Sequence, residues 1–297
     1  MAHLTTAALA VGQQDQLPRL PSYWAEFSST QASPRSKHTL PIVRIAILHG
    51  VVVFIDGREL VLKCRKAKAL LAYLALTPGM SETRDRLVGL LWSETCNNPA
   101  RGSLRQILHT LRSAFGGRDL PVFPNDKFNV SLSDCSITTD LDDVLAGIDN
   151  ANLSESLFDN TPITDALLRG YGDIDPAFAG WLTRKREAIH QTLIRKLEAQ
   201  LGIAGQQPGT VRSCAQALIQ LDPTHEIACQ NLMWACVVSG NTPAALAAYK
   251  QLWTHLEDDY DIEPSAATQQ LVVAIKTGVA LPPMLRHPAK SAASNTA

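Results

Sequence analysis

Residues 98–115 read NPARGSLRQILHTLRSAF, and the reading of this stretch decides the fold. Leu104, Leu108, Leu111 and Phe115 recur at the spacing of one face of an α-helix, with Ile107 at its edge, so that face is expected to pack on a core. Asn97-Asn98 before Pro99 offers an N-cap followed by a proline at the first helical position, where a missing N–H costs nothing. Gly116-Gly117 supplies the stop. The predicted helix therefore runs from Pro99 to Phe115. At roughly 100° per residue, Gly102, Gln106, His109 and Ser113 lie on the face opposite the apolar stripe. Arg101, Arg105 and Arg112 border that stripe on one side.

Working outward, the segment before this helix contains two further helical patterns. Ala67, Leu70, Leu71 and Leu74 predict a helix from about Arg65 to Thr77, ended by Pro78-Gly79. Thr83 is placed to cap a short helix that buries Leu87, Leu90 and Leu91. Upstream, Val43, Ile45 and Ile47 alternate as in a strand, Val51 to Ile55 predicts a second, and Asp56-Gly57 is a hairpin signal leading into Arg58 to Leu62. Downstream, Val122-Phe123, a turn at Pro124 to Lys127, and Phe128 to Leu132 predict a β-hairpin, with Ile137 to Thr139 as a candidate third strand. Sheet, three helices and hairpin form the order expected of a winged helix-turn-helix.

The formal net charge of -1 conceals an asymmetry between the two halves. Residues 1–130 carry 16 Lys/Arg against 9 Asp/Glu, whereas residues 131–297 carry 11 against 19. A basic module suited to a polyanion is thus joined to an acidic one. The six cysteines lack any C-x-x-C or paired Cys/His spacing, which points to reduced thiols and away from zinc. No apolar run approaches the roughly 20 residues of a membrane span, and the first residues lack the basic start of a signal peptide. A cytoplasmic location is expected. Residues 1–40, rich in Ser, Thr, Gln and Pro, are expected to form a flexible extension, and residues 281–297 a flexible tail.

Beyond Asp140 the pattern is almost wholly helical. Segments near Asp142 to Gly147, Asp175 to Leu201, Thr210 to Leu221, Pro223 to Ser239, Thr242 to Tyr260 and Pro264 to Thr277 are separated by Gly, Pro or Asn. The small residues Ala228, Ala235, Ala244, Ala247 and Ala248 would permit close helix approach. Stacked helical hairpins of tetratricopeptide type fit this pattern. The expected fold is mainly α with a small β component: residues 41–140 a winged helix, residues 141–280 a tetratricopeptide-like helical domain.

Arg101-x-Ser103-Leu104-Arg105-Gln106, preceded by Arg84-Asp85-Arg86-Leu87 and Leu91-Trp92 and followed by Leu111-Arg112, resembles the Streptomyces antibiotic regulatory protein (SARP) family. The winged helix would then be of OmpR type. In the second half, Phe178-x-x-Trp181-Leu182 with Arg186, Leu221-Asp222-Pro223-x-x-Glu226, Leu232-Met233, Gly240, Ala245-Leu246, Tyr249 and Glu263-Pro264-Ser265 resemble the bacterial transcriptional activator domain. The resemblance implies an activator of transcription that binds direct repeats in double-stranded DNA near promoters, contacts RNA polymerase and self-associates on DNA in the nucleoid. The hairpin turn departs from the family pattern, with Lys127-Phe128-Asn129 in place of a Gly-Tyr pair.

The expected DNA-contacting residues are Arg101, Arg105, Gln106, His109, Arg112 and Lys127. Arginines that flank a buried stripe are placed to clamp backbone phosphates, which positions a helix without reading sequence. Their alternative role is an ion pair within the protein. Gln106 and His109 have the better direction for base edges, and glutamine can pair in bidentate fashion with adenine; the alternative for both is a solvated polar face. Lys63, Arg65, Lys66 and Lys68 form a denser basic run, suited either to phosphate or to solubility. Trp92, Trp181, Trp234 and Trp253 are expected to pack in cores. No nucleophile elbow, zinc-protease pair or phosphate loop frames an enzyme site, so no catalytic residue, metal or cofactor is expected. The acidic group Glu257-Asp258-Asp259, Asp261 and Glu263 lacks calcium-loop spacing. The alternative to a DNA-binding regulator is an interaction adaptor whose winged domain does not bind DNA.

Overall fold

The computed structural model describes residues 42–116, 126–132, 136–203 and 205–279, which belong to one compact unit. The expected extension at 1–40, the tail at 281–297, and Val122, Phe123 and Pro124 of the expected hairpin lie outside the described residues.

Strand β1 (Ile42–Ala46) buries Val43 and Ile45 and pairs antiparallel with β2 (Val52–Ile55), Val43 opposite Ile55 and Ile45 opposite Val53. A two-residue turn, Asp56-Gly57, returns the chain into β3 (Arg58–Leu60). Both turn residues have positive φ, 49° and 78°, the conformation a tight hairpin requires and an Asp-Gly pair tolerates. Helix α1 (Arg65–Ala75) buries Ala67, Leu70, Leu71 and Leu74 as the period predicts. Gly79 (φ 71°) turns the chain into β4 (Ser81–Thr83). Helix α2 (Arg84–Leu91) is capped by the Thr83 hydroxyl, which accepts from the Arg86 N–H. Helix α3 spans Asn97–Ala114.

The structure corrects two expectations, the helix cap at Asn97-Asn98 and the place of Ile137 to Thr139, and adds one strand. Asn97 and Asn98 lie inside α3, and Cys96 occupies the N-cap position without a side-chain bond. Pro99 still falls in the first turn, whose N–H groups have no intrahelical acceptor, so the helix accommodates it there. The strand after the hairpin turn, β5 (Asn129–Ser131), pairs antiparallel with β4, a strand absent from the sequence reading. Residues Ile137 to Thr139 do not complete the wing. They belong to β6 (Ser136–Thr139), which lies parallel to β1 and gives a sheet in the order β3-β2-β1-β6. A parallel partner needs a long crossover, and the helices and hairpin between β1 and β6 supply it.

No loop separates β6 from α4 (Asp140–Asp149), whose start is fixed by a capping box between Thr139 and Asp142. A short helix, α5 (Ile163–Ala166), follows, then α6 (Pro176–Leu201), α7 (Pro208–Leu221), α8 (Glu226–Val238), α9 (Thr242–Tyr260) and α10 (Ala266–Thr277). The α7/α8 and α8/α9 pairs pack as helical hairpins in the tetratricopeptide manner. Ala228, Ala235 and Ala248 are buried at these contacts, while Ala244 is half-buried and Ala247 exposed. Trp92 is buried, Trp181 and Trp234 pack half-buried on the core, and Trp253 lies half-buried beside Tyr249 with its indole N–H donating to Glu257.

The sheet and the helical array share one seam. Leu48 pairs with Leu167 as an antiparallel bridge, with His49 N–H donating to Ala166 O (2.8 Å) and Leu168 N–H to Ile47 O (2.8 Å). Tyr73 of α1 meets Trp181 of α6 with ring centroids 4.9 Å apart. The Lys185 ammonium donates to the Leu76 carbonyl (2.6 Å), which satisfies an orphan acceptor at the end of α1.

Candidate nucleic-acid interface

Helix α3 buries Ala100, Leu104, Ile107, Leu108 and Leu111, with Phe115 beyond its end also buried. The opposite face is open. Gln106, His109, Thr110 and Ser113 are exposed, and Gly102 is half-buried with nothing within 4 Å of where a Cβ would stand. Thr110 was missed by the sequence reading, although it lies about 40° from Gln106 on the same helical wheel. Its hydroxyl donates to the Gln106 carbonyl (3.0 Å).

The flanking arginines differ from one another. Arg105 is exposed, Arg112 is half-buried in the last turn, and Arg101 donates to Asp85 of α2 at 2.9 Å. Both members of that pair are largely exposed, so it contributes little stability and leaves the guanidinium exchangeable between Asp85 and an external anion.

Lys127 is exposed in the turn before β5, next to Phe128, which is 77% exposed. Asp126 shapes this turn. It accepts from the Phe128 N–H (2.8 Å) and the Asn129 side-chain amide (3.1 Å), and these bonds hold its carboxyl below the usual carboxylate range. Arg84, the first residue of α2, donates twice to the Asp126 carbonyl, and its own N–H bonds the Phe128 carbonyl. The turn is thereby fastened to the start of α2. Phe128 is a second surface residue that sequence reasoning missed, since nothing in a short strand pattern marks an aromatic as exposed.

Two members of the basic run at α1 serve the fold. Arg65 pairs with Asp173 (2.5 Å) and with the Gly170 carbonyl, and its guanidinium lies 5.7 Å from the Tyr171 ring. The Lys66 ammonium donates to the Leu91 carbonyl (2.5 Å) and lies 4.9 Å from the Trp92 ring. Lys63 is exposed and Lys68 half-buried. Among the described residues no group of three or more His, Cys, Asp or Glu is placed to hold a metal, and no helix is long and apolar enough to cross a membrane.

Residues 166–276 match the family model of the bacterial transcriptional activator domain. The match covers less than half of the chain. The chain is also similar to the transcriptional regulatory protein EmbR of Mycobacterium bovis and of Mycobacterium tuberculosis, 26% identical over 243 residues, which cover 76% of this chain and 61% of the relatives. It therefore spans about three fifths of the length of these curated relatives. Among solved structures it resembles M. tuberculosis EmbR in complex with a low-affinity phosphopeptide, with a TM-score of 0.56 at 24% identity, covering 82% of this chain and 67% of that one. The domain match and the likeness to EmbR support assignment to the SARP family, and the fold is a winged helix followed by a helical activator domain.

The activator domain begins inside the seam, at Ala166, whose carbonyl accepts from His49. Its signature residues have structural roles. Phe178 is fully buried against Trp181, with ring centroids 5.0 Å apart, and Arg186 donates to the Leu167 and Asp165 carbonyls. Glu226 of α8 accepts from the Ser265 N–H (2.9 Å), the Ser265 hydroxyl (2.5 Å) and the Thr268 hydroxyl, so it caps α10 from a neighbouring helix.

Proposed function

We propose that this chain is a sequence-specific DNA-binding regulator that activates transcription, with α3 entering the major groove of double-stranded DNA. The observation that carries this reading is the open polar face of α3, Gly102, Gln106, His109, Thr110 and Ser113, set opposite a buried apolar stripe and bordered by arginines. A helix of this kind fits the groove with its small and polar side chains toward base edges. In this reading Arg105 and Arg112 contact phosphate, Arg101 does so in exchange with Asp85, and Lys127 reaches a neighbouring phosphate from the wing turn. Gln106 and His109 read bases. The activator domain contacts RNA polymerase and a second copy bound at an adjacent repeat, and the protein acts at the nucleoid in the cytoplasm.

Electrophoretic shift of the gene's own promoter region across a salt series tests the proposal. Binding that weakens steeply with salt supports a phosphate-dominated interface, and absence of any shift at low salt refutes it. The adaptor reading draws support from the internal engagement of Arg65 and Arg101, which reduces the charge offered to DNA. Replacing both Arg105 and Arg112 with alanine separates the two: promoter output that stays unchanged in a folded variant favours the adaptor.

A further inference from the structure

The turn from Trp92 to Cys96 joins α2 to α3 and sets the point from which α3 departs. From α3 itself the turn receives the Ala100 N–H, which donates to the Cys96 carbonyl (3.2 Å), but Cys96 at the N-cap makes no side-chain bond and Pro99 has no N–H. A side-chain anchor comes from the activator domain. The Asp175 carboxylate, 8% exposed, accepts from the Ser93 N–H through one oxygen (2.9 Å) and from the Ser93 hydroxyl through the other (2.6 Å). The oxygen that accepts the hydroxyl also accepts the Ala177 N–H (3.0 Å), which makes Asp175 the N-cap of α6. One carboxylate thus starts the long helix of the activator domain and holds the turn before the contact helix of the winged domain.

We propose that Asp175, acting through Ser93, is a positioning residue for α3, fixing the orientation in which its polar face meets DNA. The proposal rests on the reading of α3 as the DNA-contacting helix. Two-point acceptance from Ser93 restrains both translation and rotation of the turn, which a single bond would not. The neighbouring bonds reinforce it from the other side: Lys66 holds the Leu91 carbonyl, Trp92 packs beneath that ammonium, and the Thr95 N–H closes the turn on the Trp92 carbonyl (3.1 Å). Bidentate base contacts tolerate displacements of only about half an ångström, so a loosened turn degrades them without removing any contacting side chain. The activator domain would in this way set DNA affinity without touching DNA.

Separating this role from the cap on α6 requires variants that lose one and keep the other. Serine is an efficient N-cap but too short to hold Ser93 at two points, so Asp175→Ser preserves the start of α6 and removes the tether. Ser93→Ala removes the hydroxyl bond from the other end, and Ser93→Thr retains it. The full chain is titrated against its promoter fragment, with affinity compared at matched folded fraction, and amide hydrogen exchange is followed over residues 97–102. Both Asp175→Ser and Ser93→Ala are expected to weaken binding on the order of tenfold with an unchanged salt slope, while exchange in the first turn of α3 accelerates and α6 stays protected. Ser93→Thr is expected to bind as the parent does. Parent-like affinity and exchange in both disruptive variants overturn the positioning role while leaving the DNA-binding reading intact. If the parent itself fails to shift the fragment, the reading of α3 falls and takes this proposal with it.

Discussion

Asp140 stands at the junction of β6, α4 and the seam, and its titration provides a measurable test of the packing there. The residue is 4% exposed, and its two oxygens accept the N–H groups of Ile47 (2.9 Å), Leu48 (3.0 Å) and Leu141 (3.0 Å). Burial pushes the carboxyl up, while the three backbone donors favour its ionised form; the balance lies at about 6, against 3.8 for the free group. Because the folded pKa is raised, the native state binds the proton more tightly than the unfolded chain does, and stability falls as pH rises between these values. A rise of about 2 units corresponds to roughly 3 kcal/mol, of which about 2 kcal/mol is lost between pH 4.5 and 7.5. Other carboxylates act in the opposite direction, since Asp126 and Asp173 are held below the usual range and lose stabilising bonds in acid. The Asp140→Asn variant isolates the wanted contribution. It carries a constant penalty, because its amide N–H₂ must face one of the backbone donors, but it does not titrate. Urea unfolding of both proteins at half-unit steps from pH 4.5 to 7.5 should show the wild type losing about 2 kcal/mol relative to the variant, with equal m-values. A flat difference, or a wild type that gains on the variant as pH rises, would mean that the three N–H donors outweigh burial and would refute the reasoning.

The helix wheel divides labour on α3: Arg105→Ala should weaken binding to all sequences about equally and reduce the salt slope by about 1, whereas Gln106→Ala should alter preference among operator variants, both read by competition shift assays. A Cβ on Gly147 would stand 2.5 Å from the Asn152 carbonyl oxygen, so Gly147→Ala should lower thermal stability by about 1–3 kcal/mol despite its better helix propensity. Gly102→Ala, with open space around it, should instead stabilise by about 0.5–1 kcal/mol in the same calorimetric assay. Glu226→Ala leaves the start of α10 without its cap and should cost about 1–3 kcal/mol, with amide exchange rising first around residues 265–269.

The parts of the fold that follow a helical period were legible in the sequence. The apolar stripes of α1 and α3 occupy the positions their spacing requires, and Pro-Gly at 78–79 and Gly116 (φ 88°) end helices as expected. Strand partners were not legible, because alternation says which face of Ile137 to Thr139 is apolar and nothing about whether β1 or the wing lies beside it. The polar Ser81-Glu82-Thr83 gave no strand signal at all, since β4 is specified by the chain opposite it. At the candidate interface, the wheel identified the open face, including the direction of Gln106 and His109. It could not anticipate that Arg101 would meet Asp85, or that Ser93 would find a carboxylate 82 residues away, because such pairings exist only once α2, α3 and α6 have packed.

The residues that carry the family resemblance in the second half belong overwhelmingly to the framework. Trp181 packs at a tilt against Tyr73 across the seam, Arg186 satisfies two carbonyls of the segment that leads into α6, and Glu226 caps the helix that Ser265 begins. In this chain such residues help to fasten the sheet and α1 to the helical array and hold that array together. None of them lies on the outer face of α3, and Asp175, whose tether to Ser93 is proposed to set the angle of that helix, lies just ahead of them in the chain. Gln106, His109, Thr110 and Ser113 are exposed on that face, and substitutions there alter neither the core nor the seam. In the proposed function, operator choice therefore falls to the outer side chains of α3, and chains that share the seam can differ in the sequences they bind.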